Sequence, residues 1–213
     1  MFELSKVGLE HIRRRVLANL RNVDDDLAAR VAAGLGAQLP EASPAAAPVI
    51  DFEPSPALSI IAKARPTLQG RTVGILFADG SDAEEIERVV ASVVAAGATP
   101  LLIAPRLLGV ATTPKPMNAD GQLAGTPSVV CDAVALVLDD TAAAALCHDA
   151  AAVQFVADAY AHLKAIGHTD AAKVLLDRAG AAPDDGVVGL GDEFIQAAGR
   201  RHYDREARVR RLA

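Results

Sequence analysis

The chain has 213 residues, room for one ordinary domain with appendages, and although 51% of it is hydrophobic only 3% is aromatic and Trp is absent. A core must therefore come from Ala, Val, Leu and Ile, which suits close packing of helices on a sheet and disfavours an aromatic cage for a flat cofactor. A net charge of −6 argues against a nucleic-acid partner, and no apolar run reaches the about 18 residues that a membrane span needs.

Residues 1–36 read as two short helices. The first covers residues 9–20 and carries Arg13-Arg14-Arg15 on a solvated or docking face. The second starts behind Asp24, a good N-cap, and repeats Leu27, Ala28, Val31, Ala32 and Leu35 on one face, with Gly34 and Gly36 as its stop. Two such helices cannot bury both faces alone, so this piece is expected to pack on something else.

Pro40, Pro44, Pro48, Pro54 and Pro56 follow within residues 37–58, where proline at this density predicts an extended, semi-rigid strap. The whole linker is taken as 37–69, and residues 70–213 as the main domain. Strands are predicted at 71–78, 99–104, 133–138, around 166 and at 186–190. The strand at 133–138 is apolar throughout, as befits one covered on both faces. Helices alternate with them. One runs to residue 96 behind Ser81 or Asp82, with Ile86, Val89, Val90, Val93 and Val94 inward; others cover 150–163, the stretch after Asp170, and 192–198. The basic tail, residues 200–211, reads as exposed. Alternation of this kind predicts an α/β fold, a three-layer sandwich with a mostly parallel sheet and helices on both faces, preceded by the short helical segment and the Pro-rich linker. There is no internal repeat.

Ligands of open parallel sheets bind at the carboxyl ends of strands, where Asp79-Gly80-Ser81-Asp82 and His168-Thr169-Asp170 both fall. Asp170 would pair with His168 or an acid of the first loop in a functional reading. The plainer reading, favoured here, is that it caps the following helix. Cys147-His148 has no strand before it and Asp149 after it, which disfavours Cys147 as a nucleophile, and Cys131 reads as a small core residue. The acids at 79–85 simply suit a helix N-terminus. Gly186-Val187-Val188-Gly189-Leu190-Gly191 is neither a dinucleotide fingerprint nor a phosphate loop. The five His residues (His11, His148, His162, His168, His202) show no metal-ligand spacing, and neither cofactor nor metal is expected in this chain. Two cysteines are too few for a disulfide framework, and the N-terminus lacks a signal-peptide layout, so the cytoplasm is the expected location.

Residues 163–180 resemble the nucleophile turn of the glutamine-amidotransferase-like superfamily, which includes intracellular proteases and deglycases. Those enzymes place Cys-His-Gly ten residues before the helix-ending Gly; counting back from Gly180 puts Asp170-Ala171-Ala172 there. A carboxylate cannot do that thiolate's work, so the resemblance implies the scaffold without its catalytic centre. A supporting Glu of the deglycase-like first loop would correspond to Asp82 or Glu84.

Read in order, Phe2-Glu3-Leu4-Ser5-Lys6-Val7, the helical run through Asn22-Val23-Asp24, the proline strap to Ser55-Pro56-Ala57-Leu58-Ser59, Gly70-Arg71-Thr72-Val73-Gly74-Ile75-Leu76, Ala159-Tyr160-Ala161-His162-Leu163-Lys164-Ala165-Ile166 and Asp192-Glu193-Phe194-Ile195 resemble the C-terminal region of large-subunit haem catalases. The resemblance implies a flavodoxin-like, non-catalytic terminal domain. Its parent decomposes hydrogen peroxide to water and oxygen at a haem held by a core that lies upstream, an oxidoreductase serving against oxidative stress, so no haem residue carries over. Met1 is then expected to mark a truncated chain or a terminal domain made alone. Implied partners are the catalase core and neighbouring subunits of a tetramer, and, for a holdase-type chaperone role, unfolding client proteins. The alternatives are a small cysteine hydrolase or glyoxalase-like enzyme of the same superfamily, which needs a nucleophile, and a flavin- or nucleotide-binding module, suggested by fold analogy alone.

Overall fold

The computed structural model describes residues 1–50 and 52–209. They form two compact units, Met1–Ser59 and Ile60–Ala213. The first unit holds helices α1 (Phe2–Ser5), α2 (Glu10–Leu20) and α3 (Asp25–Gly34). Asp24 caps α3 as its residue type predicts, accepting from the Leu27 amide. The α2/α3 contact buries Leu17, Val31 and Ala32, with Leu4, Leu20 and Leu35 around them. Leu27 departs from its expected place on the apolar face and is exposed. Arg13 is also no free cation, since it donates to the carbonyls of Leu4 and Ser5 at the end of α1, whereas Arg14 and Arg15 stay exposed. The strap begins tied to these helices, with Arg21 donating to Pro40 O and Asn22 to Ser43 O. Its described residues from 44 onward are largely exposed, and a single helical turn forms at Pro56–Leu58.

The second unit is an α/β sandwich. Its strands are β1 (Thr72–Phe77), β2 (Thr99–Ala104), β3 (Gly121–Gln122), β4 (Ala133–Val137), β5 (Ile166–His168) and β6 (Val187–Gly189). They form one six-stranded sheet in the order β3-β2-β1-β4-β5-β6, and every pairing is parallel. The register is continuous across the centre, where Ile75 sits between Leu102 and Ala135. Helices α4 (Ala83–Ala95) and α8 (Asp192–Ala198) cover one face; α5 (Asp140–Leu146), α6 (Ala150–Ala161) and α7 (Lys173–Arg178) cover the other, and α9 (Glu206–Val209) closes the described chain.

Alternation along the strands divides the core in two, because successive side chains of a strand point to opposite faces. Val73, Ile75, Phe77, Ala133, Ala135 and Val137 meet Ile86, Val89, Val93 and Phe194 on the α4/α8 face. Leu76, Val134, Leu136 and Leu138 meet Leu146, Phe155, Val156, Tyr160 and Leu175 on the other. Ala, Val, Leu and Ile dominate as composition predicts, with Phe77, Phe155 and Phe194 filling the largest gaps. On α4, Val94 lies too far round the helix from Ile86 to reach the sheet and is 56% exposed.

Besides the short helices α1 and α9, a strand and a helix of the sandwich were not anticipated. β3 is two residues long and follows no apolar pattern, and α5 is built from Ala-rich sequence with no helical periodicity to betray it.

Candidate functional site

The switch in strand order lies at β1, whose successor β2 pairs on one side while β4 pairs on the other. In such sheets the crevice outside the carboxyl ends of the strands at that point is the usual ligand site. Here Asp139 stands close over the first loop. Gly80 has φ +92°, and a Cβ on it would stand 2.5 Å from Asp139 Oδ2, so the Asp139 carboxylate rests on bare backbone. The other Asp139 oxygen accepts from the Ala142 amide at 2.7 Å and caps α5.

The remaining groups of the first loop are equally engaged. Ser81 is fully buried and its Oγ accepts from the Ala78 amide. Asp79 pairs with Arg106 at 2.7 Å and accepts from the Ala111 amide; the Arg106 bond, then the amide, hold its carboxyl below the ordinary range. Asp82 caps α4 by accepting from the amides of Glu84 and Glu85. Asp82 is committed to the helix and the Glu84 side chain is exposed on α4.

At the end of β5, Thr169 stitches two strands together, donating to Leu138 O at 2.7 Å and accepting from Leu138 N at 3.2 Å. His168 donates through Nδ1 to Thr169 O. Asp170 does not cap α7 as its position suggests. A 3-10 turn, Asp170–Ala172, intervenes between strand and helix, so the carboxylate stands a turn ahead of the free amides and Ala172 takes the N-cap place. The side chain is 94% exposed and pairs with Lys173 at 2.7 Å; that hydrogen bond, and then the lysine's charge, lower its pKa. His168 acts on it only through its charge, as the least of the causes, and Lys173 is the partner it bonds.

Cys147 ends α5 two residues before Asp149, which caps α6, so it sits at a helix-to-helix junction rather than behind a strand. Cys131 is 3% exposed against Gly74 and Ile103, and burial pushes its thiol up to about 11, as expected of an inert core residue. The Gly186–Gly191 run makes β6 and the turn into α8. Among the described residues, no three His, Cys, Asp or Glu side chains gather as a metal site.

The sequence reading missed a second constellation, at the amino ends of the strands, and placed one part of it wrongly. Residues 200–209 are no free basic tail; Arg210 and Arg211 lie outside the described residues. Arg205 has a completely buried side chain. It makes a bidentate pair with Asp184 at 2.8 and 2.7 Å, donates to the carbonyls of Tyr160 and Lys164, and lies 4.2 Å from the centre of the Tyr160 ring. Burial would raise the Asp184 carboxyl, but bonds from Arg205 and the Gly186 amide, with the arginine's charge, outweigh it and hold it low. Arg201 binds Asp132 through its carbonyl and carboxylate. Lys164 is 3% exposed and donates to Ser128 O at 2.7 Å, and burial chiefly lowers its pKa. His202 donates through Nε2 to Ala197 O. A cleft of about 450 Å³ borders these groups, lined by Asp184, Asp185, Arg200, His202, Tyr203 and Arg208 among others. The sequence signal was present in the acids Asp132 and Asp184-Asp185, each just ahead of a strand, but nothing local joined them to the arginines.

Comparison with known proteins fits this architecture. Residues 69–198 match the family model of the C-terminal domain found in long catalases, and residues 1–35 match that of a catalase-related immune-responsive domain. Catalase C of Rhizobium meliloti (strain 1021) is 43% identical over 202 residues, covering 92% of this chain and 29% of that protein. Catalase HPII of Pseudomonas putida is 34% identical over 97% of this chain and 30% of its own length, and Catalase HPII of Mycobacterium avium 38% identical over 84% and 25%. The chain thus spans less than a third of the length of these curated relatives. An all-parallel, flavodoxin-like sandwich whose sequence matches that model over well more than half its length settles the family: this chain belongs to the C-terminal domains of long catalases.

Proposed function

We propose that this chain serves a long catalase as a non-catalytic domain, stabilising the enzyme and holding unfolding proteins in the manner of a holdase. The parent would decompose hydrogen peroxide to water and oxygen with haem, as a tetramer, in the cytoplasm. One observation carries the reading. At the carboxyl edge, where a superfamily enzyme keeps its nucleophile, stands an exposed Asp170 tied to Lys173, beside a first loop on which Asp139 rests at Gly80. A carboxylate cannot do a thiolate's work there.

The chain's own residues do not fit a haem. Of its two tyrosines, Tyr160 lies in the core beneath Arg205 and Tyr203 is partly exposed beside a charged cleft, and His202 spends Nε2 on Ala197 O. A macrocycle needs an apolar slot around its axial ligand. On this reading the haem would be held by the parent's core.

The first unit supports a partner. Leu9, Ile12, Val16 and Val23 recur along α2 and into the turn after it, and all are exposed, as is Phe2. Apolar surface of that kind marks an interaction site, which we assign to the catalase core. No helix of the described residues is long and apolar enough to cross a membrane.

The test compares the parent catalase with and without this domain. Loss of the domain should shorten the half-life of heat inactivation while turnover per haem stays the same, and the domain added to a heat-stressed client enzyme should suppress light scattering at near-stoichiometric amounts. Equal half-lives would remove the stabilising role, and unchanged scattering the holding role. Turnover of a reactive aldehyde that vanishes in Cys147→Ser would overturn the non-catalytic reading altogether.

A further inference from the structure

The anchorage of residues 200–209 is concentrated on a few buried groups. After α8 the chain runs along the amino ends of the strands. Arg205 holds it to Asp184, Tyr160 O and Lys164 O, and the His202 amide holds it to Leu163 O. Gly186 makes the fit possible, because a Cβ there would lie 2.5 Å from both the His202 ring and Arg205 Nη2. Arg205 covers the Tyr160 ring, and Val209 packs against the apolar core cluster to which Tyr160 belongs. We propose that residues 200–209 form a latch that opens on mild acidification, when His202 takes up a proton, and uncovers this apolar surface.

His202 is 7% exposed, and in its neutral form it is satisfied, with Nε2–H on Ala197 O. A second proton would place a charge among cations. Arg205 and Arg200 face it, and Arg201 and Arg208 border the same cleft. Of the acids, Asp184 is engaged by Arg205 and Asp132 by Arg201, leaving Asp185 and Asp204 at the rim. The Lys164 ammonium is turned to Ser128 O. Burial first, then the charges of Arg205 and Arg200, hold the imidazole below its usual value, against the Ala197 bond and Asp184. The closed latch resists a proton that the open one accepts. Closure is thus fully favoured above the ordinary histidine range near about 6.5 and weakens as pH falls below it. Asp184, also held low, acts in the same direction only at more acid pH.

The opening stands on its own; that the uncovered surface receives clients rests on the holding role proposed above. Amide hydrogen exchange of the intact chain, normalised for intrinsic rates, tests the opening at about pH 7.5 and about pH 5.5. Protection over residues 200–209 and 158–165 should drop by up to about ten-fold at the lower pH, the most that one imidazole can contribute there, while β1 and β4 keep theirs. His202→Gln, whose amide can still donate to Ala197 O but does not titrate, should show equal protection at both. Equal wild-type protection at both pH values overturns the latch without recourse to any variant, and so does a drop that persists in His202→Gln. Client scattering measured in parallel separates the two ideas. Suppression that rises at low pH in the wild type and not in His202→Gln joins latch to holding. An opened latch with no suppression at either pH sinks the holding role and leaves the latch in place.

Discussion

Truncating Arg205 to Ala would leave the Asp184 carboxylate, itself largely buried, without its partner, and would strip the Tyr160 and Lys164 carbonyls of a donor. Breaking a buried pair from one side costs about 3–5 kcal/mol, so Arg205→Ala should move the midpoint of urea unfolding far down. Asp170→Ala, by contrast, removes an exposed, solvent-screened pair with Lys173 and should leave the midpoint of the same titration essentially where it is. The two cysteines differ as sharply. Iodoacetamide at neutral pH should modify half-buried Cys147 in the native chain and reach Cys131 only after unfolding, as mass spectrometry of the labelled peptides would show. The burial of Cys131 was legible from its place beside an apolar strand. The burial of Arg205 was not, because it sits in a run with Arg200, Arg201 and Arg208 that has the composition of a solvated tail. Its partners lie 21, 41 and 45 residues away, beyond the reach of any local pattern.

At the level of elements, aspartate punctuates the helices. Asp24, Asp82, Asp139 and Asp149 each accept from the first free amides of α3, α4, α5 and α6. Replacing Asp82 with Ala should cost about 1 kcal/mol, measured as a shift in thermal midpoint, and Asp82→Asn should restore most of it. The central strands were readable because β1, β2 and β4 are apolar runs of five or six residues between turn signals. The helix expected to start at Asp192 is α8, although it is not the last, since α9 follows it. β3 was beyond reading, since Gly121-Gln122 is a strand only through its bonds to β2. Asp170 misled for a related reason: an aspartate after a strand suggests a cap, and only the intervening 3-10 turn, which sequence does not announce, withholds the helix amides from it.

For the molecule as a whole, the strap is the weak point toward proteases. Residues 44–58, apart from Asp51, are largely exposed and lie before the boundary of the second unit. Brief elastase treatment should cut there first and leave the unit Ile60–Ala213 intact, read by mass of the surviving fragment. The strap was legible from its prolines and the sandwich from strand and helix in alternation. The constellation at the amino edge emerged only with the fold.

The sheet ends at both sides in very short strands, two residues of β3 and three of β6. Unpaired edge backbone is the usual template for one sheet to grow onto another, and edges this brief offer almost none of it. A domain with so many apolar side chains at its surface can therefore crowd against its own copies, or against a denatured chain, without seeding fibrils through its strands.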